Sequence, residues 1–177
     1  MSAWMNGVGR QTRFTCQDAE TATFDSSSFD VVWSIECTEH LFDKSRFFQR
    51  VANWLCPGGR SAICAWLASA EPHTAAAAHQ LRQVCEGFLC PSLGTARDYQ
   101  TWMSDAGLEV RHFEDLSDKV TRTWEICCQR IHRLRVKQLA HCAGADIARF
   151  VDGFETILDA YRTGAMRYGC FVAHATR

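Results

Sequence analysis

The sequence predicts an α/β fold built on a mostly parallel sheet, and three observations predict it. Residues 29–35, Phe-Asp-Val-Val-Trp-Ser-Ile, form a continuous apolar run of strand length. Such runs belong to strands covered on both faces, as in parallel sheets. After Asp43, Phe47, Phe48, Val51, Trp54 and Leu55 recur at helical spacing, and the aspartate is a good helix N-cap. Cys56-Pro-Gly-Gly59 then stops that helix, and residues 60–66 read as a second buried strand. Strand, helix, tight turn and strand make a βαβ unit. A length of 177 residues suits one domain. With 47% hydrophobic and 22% charged residues, the chain is neither disordered, collagen-like nor a coiled coil.

The remaining elements follow in order. Gln11-Thr-Arg-Phe-Thr-Cys-Gln17 has strand composition and leads to Asp18, and Asp25-Ser-Ser-Ser28 is turn chemistry. A helix is expected over 74–88, with Leu81, Val84, Cys85 and Phe88 on one face. Thr95 with Asp98 three residues on opens another helix, which Gly107 is placed to end. Residues 108–115 read as a strand, 121–142 and 145–163 as helices, and 167–174 as the closing strand.

Charge and cysteine usage narrow the function classes. The formal charge of −1 gives no basic field to attract nucleic acid or an anionic membrane. No apolar run approaches the roughly 18–20 residues that span a bilayer, and the first residues lack a secretion signal, so a cytoplasmic protein is expected. The ten cysteines include no CxxC pair, so reduced, mostly buried thiols are expected and no metal site. Residues 119–137 hold six basic side chains against Glu125. Their helical spacing, opposite the Trp124–Leu134 stripe, favours a solvated face, and nucleic acid is an unlikely partner.

Two short segments could carry chemistry. Asp18 follows the first predicted strand, and Ser34-Ile-Glu36 ends the second. In an open parallel sheet, ligands bind outside the carboxyl ends of the strands. A carboxylate there can accept from an exocyclic amine such as that of adenine. On spacing alone the residues favour the plainer reading, in which Asp18 caps a turn and Glu36 is a solvated loop carboxylate.

These segments carry a resemblance. Residues 14–24 around Asp18-Ala19, Ser28-Phe-Asp-Val-Val-Trp-Ser-Ile-Glu36, Glu39-His40-Leu41 and Leu55-Cys-Pro-Gly-Gly-Arg60 resemble successive motifs of class I S-adenosylmethionine-dependent methyltransferases. They are most similar to the small-molecule branch around tocopherol and sterol methyltransferases. Tyr99, Ala106-Gly-Leu108, Glu114-Asp-Leu-Ser-Asp118 with Trp124, and Gly164-Ala-Met-Arg-Tyr-Gly169 resemble its later half. The resemblance implies a Rossmann-like fold of strand order 3-2-1-4-5-7-6 and S-adenosylmethionine as cofactor. It implies that Asp18 and Ala19 contact the adenine, and that Ser34 and Glu36 lie beside the methionine moiety. His40 matches a histidine on the acceptor side, a possible general base or orienting group, although a packing role is also open.

The resemblance further implies a core over 11–71 and 92–119, a helical lid over 72–91 and 120–163, and a final strand over 164–177. An apolar lid points to a small, partly hydrophobic or phenolic acceptor. The family's glycine-rich cofactor turn has no counterpart, because Asn6-Gly-Val-Gly-Arg10 matches the linker before the family's third strand. The chain therefore reads as N-terminally truncated. An exposed strand edge would invite self-association. A catalytically inactive remnant serving as a binding or oligomerisation module is the alternative reading.

Overall fold

A computed structural model describes residues 5–70 and 74–176. Strand β1 (Phe29–Ile35) leads through a single 3-10 turn (Thr38–His40) into helix α1 (Lys44–Trp54) and strand β2 (Leu55–Ala68). Helices α2 (Ala75–Phe88) and α3 (Ala96–Asp105) precede strand β3 (Leu108–Asp115). Helices α4 (Ser117–Arg133), α5 (Val136–Ala143) and α6 (Ala145–Arg162) then return the chain to strand β4 (Met166–Ala175).

The α/β class holds, in a Rossmann-like sheet of order β1-β2-β4-β3. This matches the 4-5-7-6 portion of the order that the resemblance implies. Within it only β1 and β2 are parallel, whereas β4 runs antiparallel to both β2 and β3. The described sheet is thus mixed, because the last strand inserts against its neighbours' direction.

Local signals act as their chemistry predicts. Asp43 accepts from the Arg46 N–H at 2.9 Å and starts α1. Thr74 accepts from the Ala77 N–H at 3.1 Å, and Thr95 with Asp98 closes a complete capping box on α3. Gly107 takes φ +81° just beyond α3. Strand β2 starts at Leu55 and runs through Pro57–Gly59, with a shift in the β1–β2 register between Phe29 and Val31. Between these pairs β2 advances five residues and β1 two, so an irregularity in the ladder takes up the residues expected to form a separate turn.

Three expectations are corrected. Residues 11–17 form no strand. Phe14 is 82% exposed, so strand propensity finds no edge to pair with and no surface to cover. The helix expected over 121–142 is two, because Arg135 adopts φ +53° between α4 and α5. A left-handed residue interrupts the i→i−4 ladder. Strand β1 forms as expected but is not covered on both faces, since Val31, Trp33 and Ile35 are 49%, 71% and 52% exposed. The lid boundary at residue 72 lies outside the described residues.

Alternation along the strands sends side chains to two different cores. Ile63, Ala65 and Leu67 of β2, with Phe171 and Ala173 of β4, pack under Phe47, Phe48 and Val51 of α1 and Tyr99 and Met103 of α3. Trp66 and Tyr168, directly paired between β2 and β4, face the other way. They pack with Val84 and Phe88 of α2 and Ile157 and Tyr161 of α6. The second core fills only the carboxyl end of β2, where α2, α4 and α6, the helices of the expected lid, pack on the sheet.

Candidate functional site

The loop after β1 is where the sheet meets the lid. It is anchored at Glu36, whose N–H donates to the Cys64 carbonyl at 2.9 Å. Glu36 holds φ +49°, a left-handed conformation that a non-glycine residue adopts at a cost, and such strain clusters at functional sites. The 3-10 turn that follows is pinned by a buried hydrogen bond of 2.8 Å between Thr38 Oγ1 and the Tyr99 hydroxyl.

That turn buries Glu39 completely, and neither of its carboxylate oxygens completes a hydrogen bond. Burial raises its pKa to about 7, and the neighbouring Glu36 carboxylate adds to the rise. The main-chain amides of Glu39 and Trp66, close to the carboxyl but short of full hydrogen-bond geometry, and the Lys44 ammonium oppose it. Lys44 is itself buried and donates through Nζ to the Leu41 carbonyl at 2.8 Å and to Ser92 Oγ at 3.4 Å. Burial lowers its pKa, opposed by Cys90 and Glu39. A buried carboxyl poised near neutrality can hold or release a proton at ordinary pH.

His40, the next residue, is exposed at the rim. Its Nδ1 lies 3.6 Å from Cys90 Sγ, and its ring centroid is 6.3 Å from that of Trp66. Burial pushes the Cys90 thiol up to about 12, so it stays protonated beside the imidazole. Below the rim, Trp66, Phe88, Trp124 and Phe154 stack edge-on or tilted, at centroid separations of 5.2 to 6.0 Å. The indole N–H groups of Trp66 and Trp124 and the Tyr161 hydroxyl are buried without a partner. Burial raises the pKa of both Tyr161 and Tyr168, with Glu36 next among the causes. A cavity of about 390 Å³ opens beside this cluster, lined by Leu81, Cys85, Cys90, Pro91, Ser92 and Leu93 among others. Arg82 and Glu86 add charged side chains to its lining.

The structure therefore places Ser34 near the end of β1, Glu36 just beyond it and His40 at the end of the 3-10 turn, and leaves Asp18 and Ala19 on a separate segment. Ser34 Oγ is buried beside the Cys37 thiol. Asp18 Oδ1 accepts from the Glu20 N–H at 2.8 Å, which closes a turn on its own backbone, and Ala19 packs against the α1 core. The two segments meet where Glu20 Oε1 accepts from the Asp43 N–H at 2.8 Å. The exposed Glu36 carboxylate gives this end of the sheet an acidic group, which fits the cationic sulfonium of S-adenosylmethionine. Sequence reasoning passed over Glu39, Lys44, Trp66 and Tyr161. The available signal for Glu39 was an acid between Thr38 and Leu41, three residues after Glu36.

Three of the six basic side chains over 119–137 are compensated by ion pairs. Lys119 meets Glu114 at 2.9 Å, Arg122 meets Glu125 at 3.0 Å, and Lys137 meets Glu155 at 2.7 Å. Among the described residues no helix is long and apolar enough to cross a membrane.

Residues 1–63 match a methyltransferase domain family. The chain is 30% identical over 161 residues to a 27-O-demethylrifamycin SV methyltransferase from Amycolatopsis mediterranei, covering 90% of this chain and 56% of the relative. It is 28% identical to the chloroplastic tocopherol O-methyltransferase of Arabidopsis thaliana, covering 66% and 35%. The crystal structure of a candidate sarcosine dimethylglycine methyltransferase from Galdieria sulphuraria superposes with a TM-score of 0.85 at 16% identity, over 99% of this chain and 64% of that one. The chain spans about half or less of the length of these curated relatives. In fold, strand order and sequence likeness, the chain resembles class I S-adenosylmethionine-dependent methyltransferases.

Proposed function

We propose that the chain supplies the acceptor-facing part of S-adenosylmethionine-dependent methyl transfer to a small, partly hydrophobic or phenolic molecule. The observation that carries this reading is the unpartnered, buried Glu39 carboxyl beside His40, at the mouth of an apolar and aromatic cluster. In this reading Ser34 and Glu36 lie beside the methionine end of the cofactor. Asp18 and Ala19 border the adenine, the aspartate through the carboxylate oxygen that its turn leaves free. His40 at the rim takes or orients the acceptor proton, and Glu39 holds charge balance beneath it. Methyl transfer itself depends chiefly on aligning the acceptor with the sulfonium methyl. The chemistry would run in the cytoplasm, on a small molecule rather than nucleic acid.

The bare β1 face favours a second reading, an inactive binding or self-associating module, since Trp33 and Ile35 stand exposed on a free sheet edge. Calorimetric titration of S-adenosylhomocysteine into the chain, with folding checked by circular dichroism, separates the two. Saturable binding that weakens in Glu36→Gln supports the methyl-transfer reading. A folded chain that takes up no ligand supports the module.

A further inference from the structure

A row of paired residues crosses the sheet on its open face. Ile35 pairs with Cys64, Cys64 with Cys170, and Cys170 with Glu114. Cys64 and Cys170 are directly opposed on the antiparallel strands β2 and β4, so their side chains share a face. Opposed residues in such a pair hold their Cα atoms about 4.5 or 5.5 Å apart, depending on the hydrogen-bonding phase. Both separations fall inside the roughly 4.4–6.8 Å that a disulfide bridges. Among the described strands no other two cysteines are paired in this way. Both thiols are free and half-buried. They are flanked by Ile35, which is about half exposed, and by the exposed Glu114, so a small solute can approach along the row.

We propose that Cys64 and Cys170 form a reversible cross-strand disulfide by exchange with a low-molecular-weight disulfide such as oxidised glutathione. The Cys170 thiolate attacks one sulfur of the glutathione disulfide, forms a mixed disulfide and releases one glutathione thiolate. The Cys64 thiolate then attacks the Cys170 sulfur, forms the intramolecular bond and releases the second glutathione. The two cysteines lose two electrons and two protons, and the glutathione disulfide gains both to become two thiols.

The order of attack follows from the surroundings. Burial, then Cys170, then Glu36 hold the Cys64 thiol up at about 12, so Cys64 is the poorer first nucleophile. Once Cys170 is capped, it no longer contributes a competing negative charge, and Cys64 ionises more readily. The bond would lie next to the buried Trp66–Tyr168 pair on the same face, tying β2 to β4 beneath the aromatic cluster. The inference stands on strand register and holds whether or not the chain methylates anything.

The test is to incubate the folded chain with oxidised glutathione, block remaining thiols by alkylation, and map peptides without reduction. The expected result is a peptide linking Cys64 to Cys170, with alkylation lost at both positions and regained after dithiothreitol. In Cys64→Ser the reaction should stop at a glutathione adduct on Cys170. A wild-type map in which both positions remain fully alkylated, or in which either is joined to another cysteine, overturns the proposal. That map needs no variant, so it decides the matter even where a substitution folds poorly.

Discussion

The two faces of the four-stranded sheet are built to different ends. One is closed along its length by α1 and α3, and its largest members, Phe48, Ile63, Tyr99, Met103 and Phe171, are wholly buried. The other is closed only at its carboxyl end, by the lid helices. There it gathers unpartnered polar groups, namely the Trp66 and Trp124 indoles, the Tyr161 hydroxyl and, above them, Glu39. Toward β1 it is bare. By strand alternation the closed face leaves the small Ser34 and Ser61 hydroxyls unpartnered, whereas the other face leaves two indoles, a phenol and a carboxyl, which are larger groups and costlier to bury without partners. The first face holds the fold, and the second is the one on which the proposed chemistry would run.

The sharpest way to break this division is to remove volume from the closed face. Phe48 contacts Phe47 and Tyr99 edge-on, at centroid separations of 5.7 and 5.8 Å, and is fully buried. Phe48→Ala is expected to lose about 3–5 kcal/mol of unfolding free energy, measured by urea denaturation. A loss below about 1 kcal/mol would mean that the α1 core is loosely packed and that the two faces differ less than described.

Glu39 tests the opposite face. Its pKa rises from 4.5 to about 7 on folding, so between those values the folded chain keeps a proton that the unfolded chain has released. Its contribution to stability is therefore fully present below pH 4.5 and is lost as pH rises through 7, up to about 3 kcal/mol in all. Glu39→Gln, which cannot ionise, should flatten the fall in stability across this window. Unchanged curvature in urea midpoints collected from pH 4.5 to 8 would show that Glu39 is charged and solvated in the folded chain.

This division explains what could be read from the sequence. The helix starts at Asp43, Thr74 and Thr95 and the strand over 108–115 were legible because caps and alternation are local. Residues 11–17 misled because propensity records how a residue suits a sheet, not whether an edge is available. Ser34 and Glu36 were singled out by their position at a strand end, and His40 by the family resemblance alone. Glu39 was not, because its burial is imposed by the 3-10 turn and by Tyr99, which lies 61 residues from Thr38 in sequence. The break at Arg135 left no glycine or proline to announce it.

A smaller effect on the closed face comes from Gly169, on β4. A Cβ there would lie 2.6 Å from Leu67 Cδ1, 2.9 Å from Phe113 and 3.0 Å from Phe171. Gly169→Ala should cost about 1–3 kcal/mol through overpacking, read from the same denaturation curves. A neutral result would mean that the Phe113–Phe171 contact, at 4.8 Å between centroids, can shift without penalty.

The smallest effect on stability is expected where the sheet is bare. Trp33 is 71% exposed and contributes little to either core, so Trp33→Glu should change unfolding free energy by no more than about 0.5 kcal/mol. Its effect on association should be larger. Phe29, Val31, Trp33 and Ile35 alternate along a free edge, and a charge in their midst opposes both edge pairing and face contact. Sedimentation over a range of concentrations should show the native chain associating and Trp33→Glu remaining monomeric. If this substitution instead destabilised the fold as strongly as Phe48→Ala, Trp33 would have to be buried in the folded chain, and the contrast between the two faces would be lost.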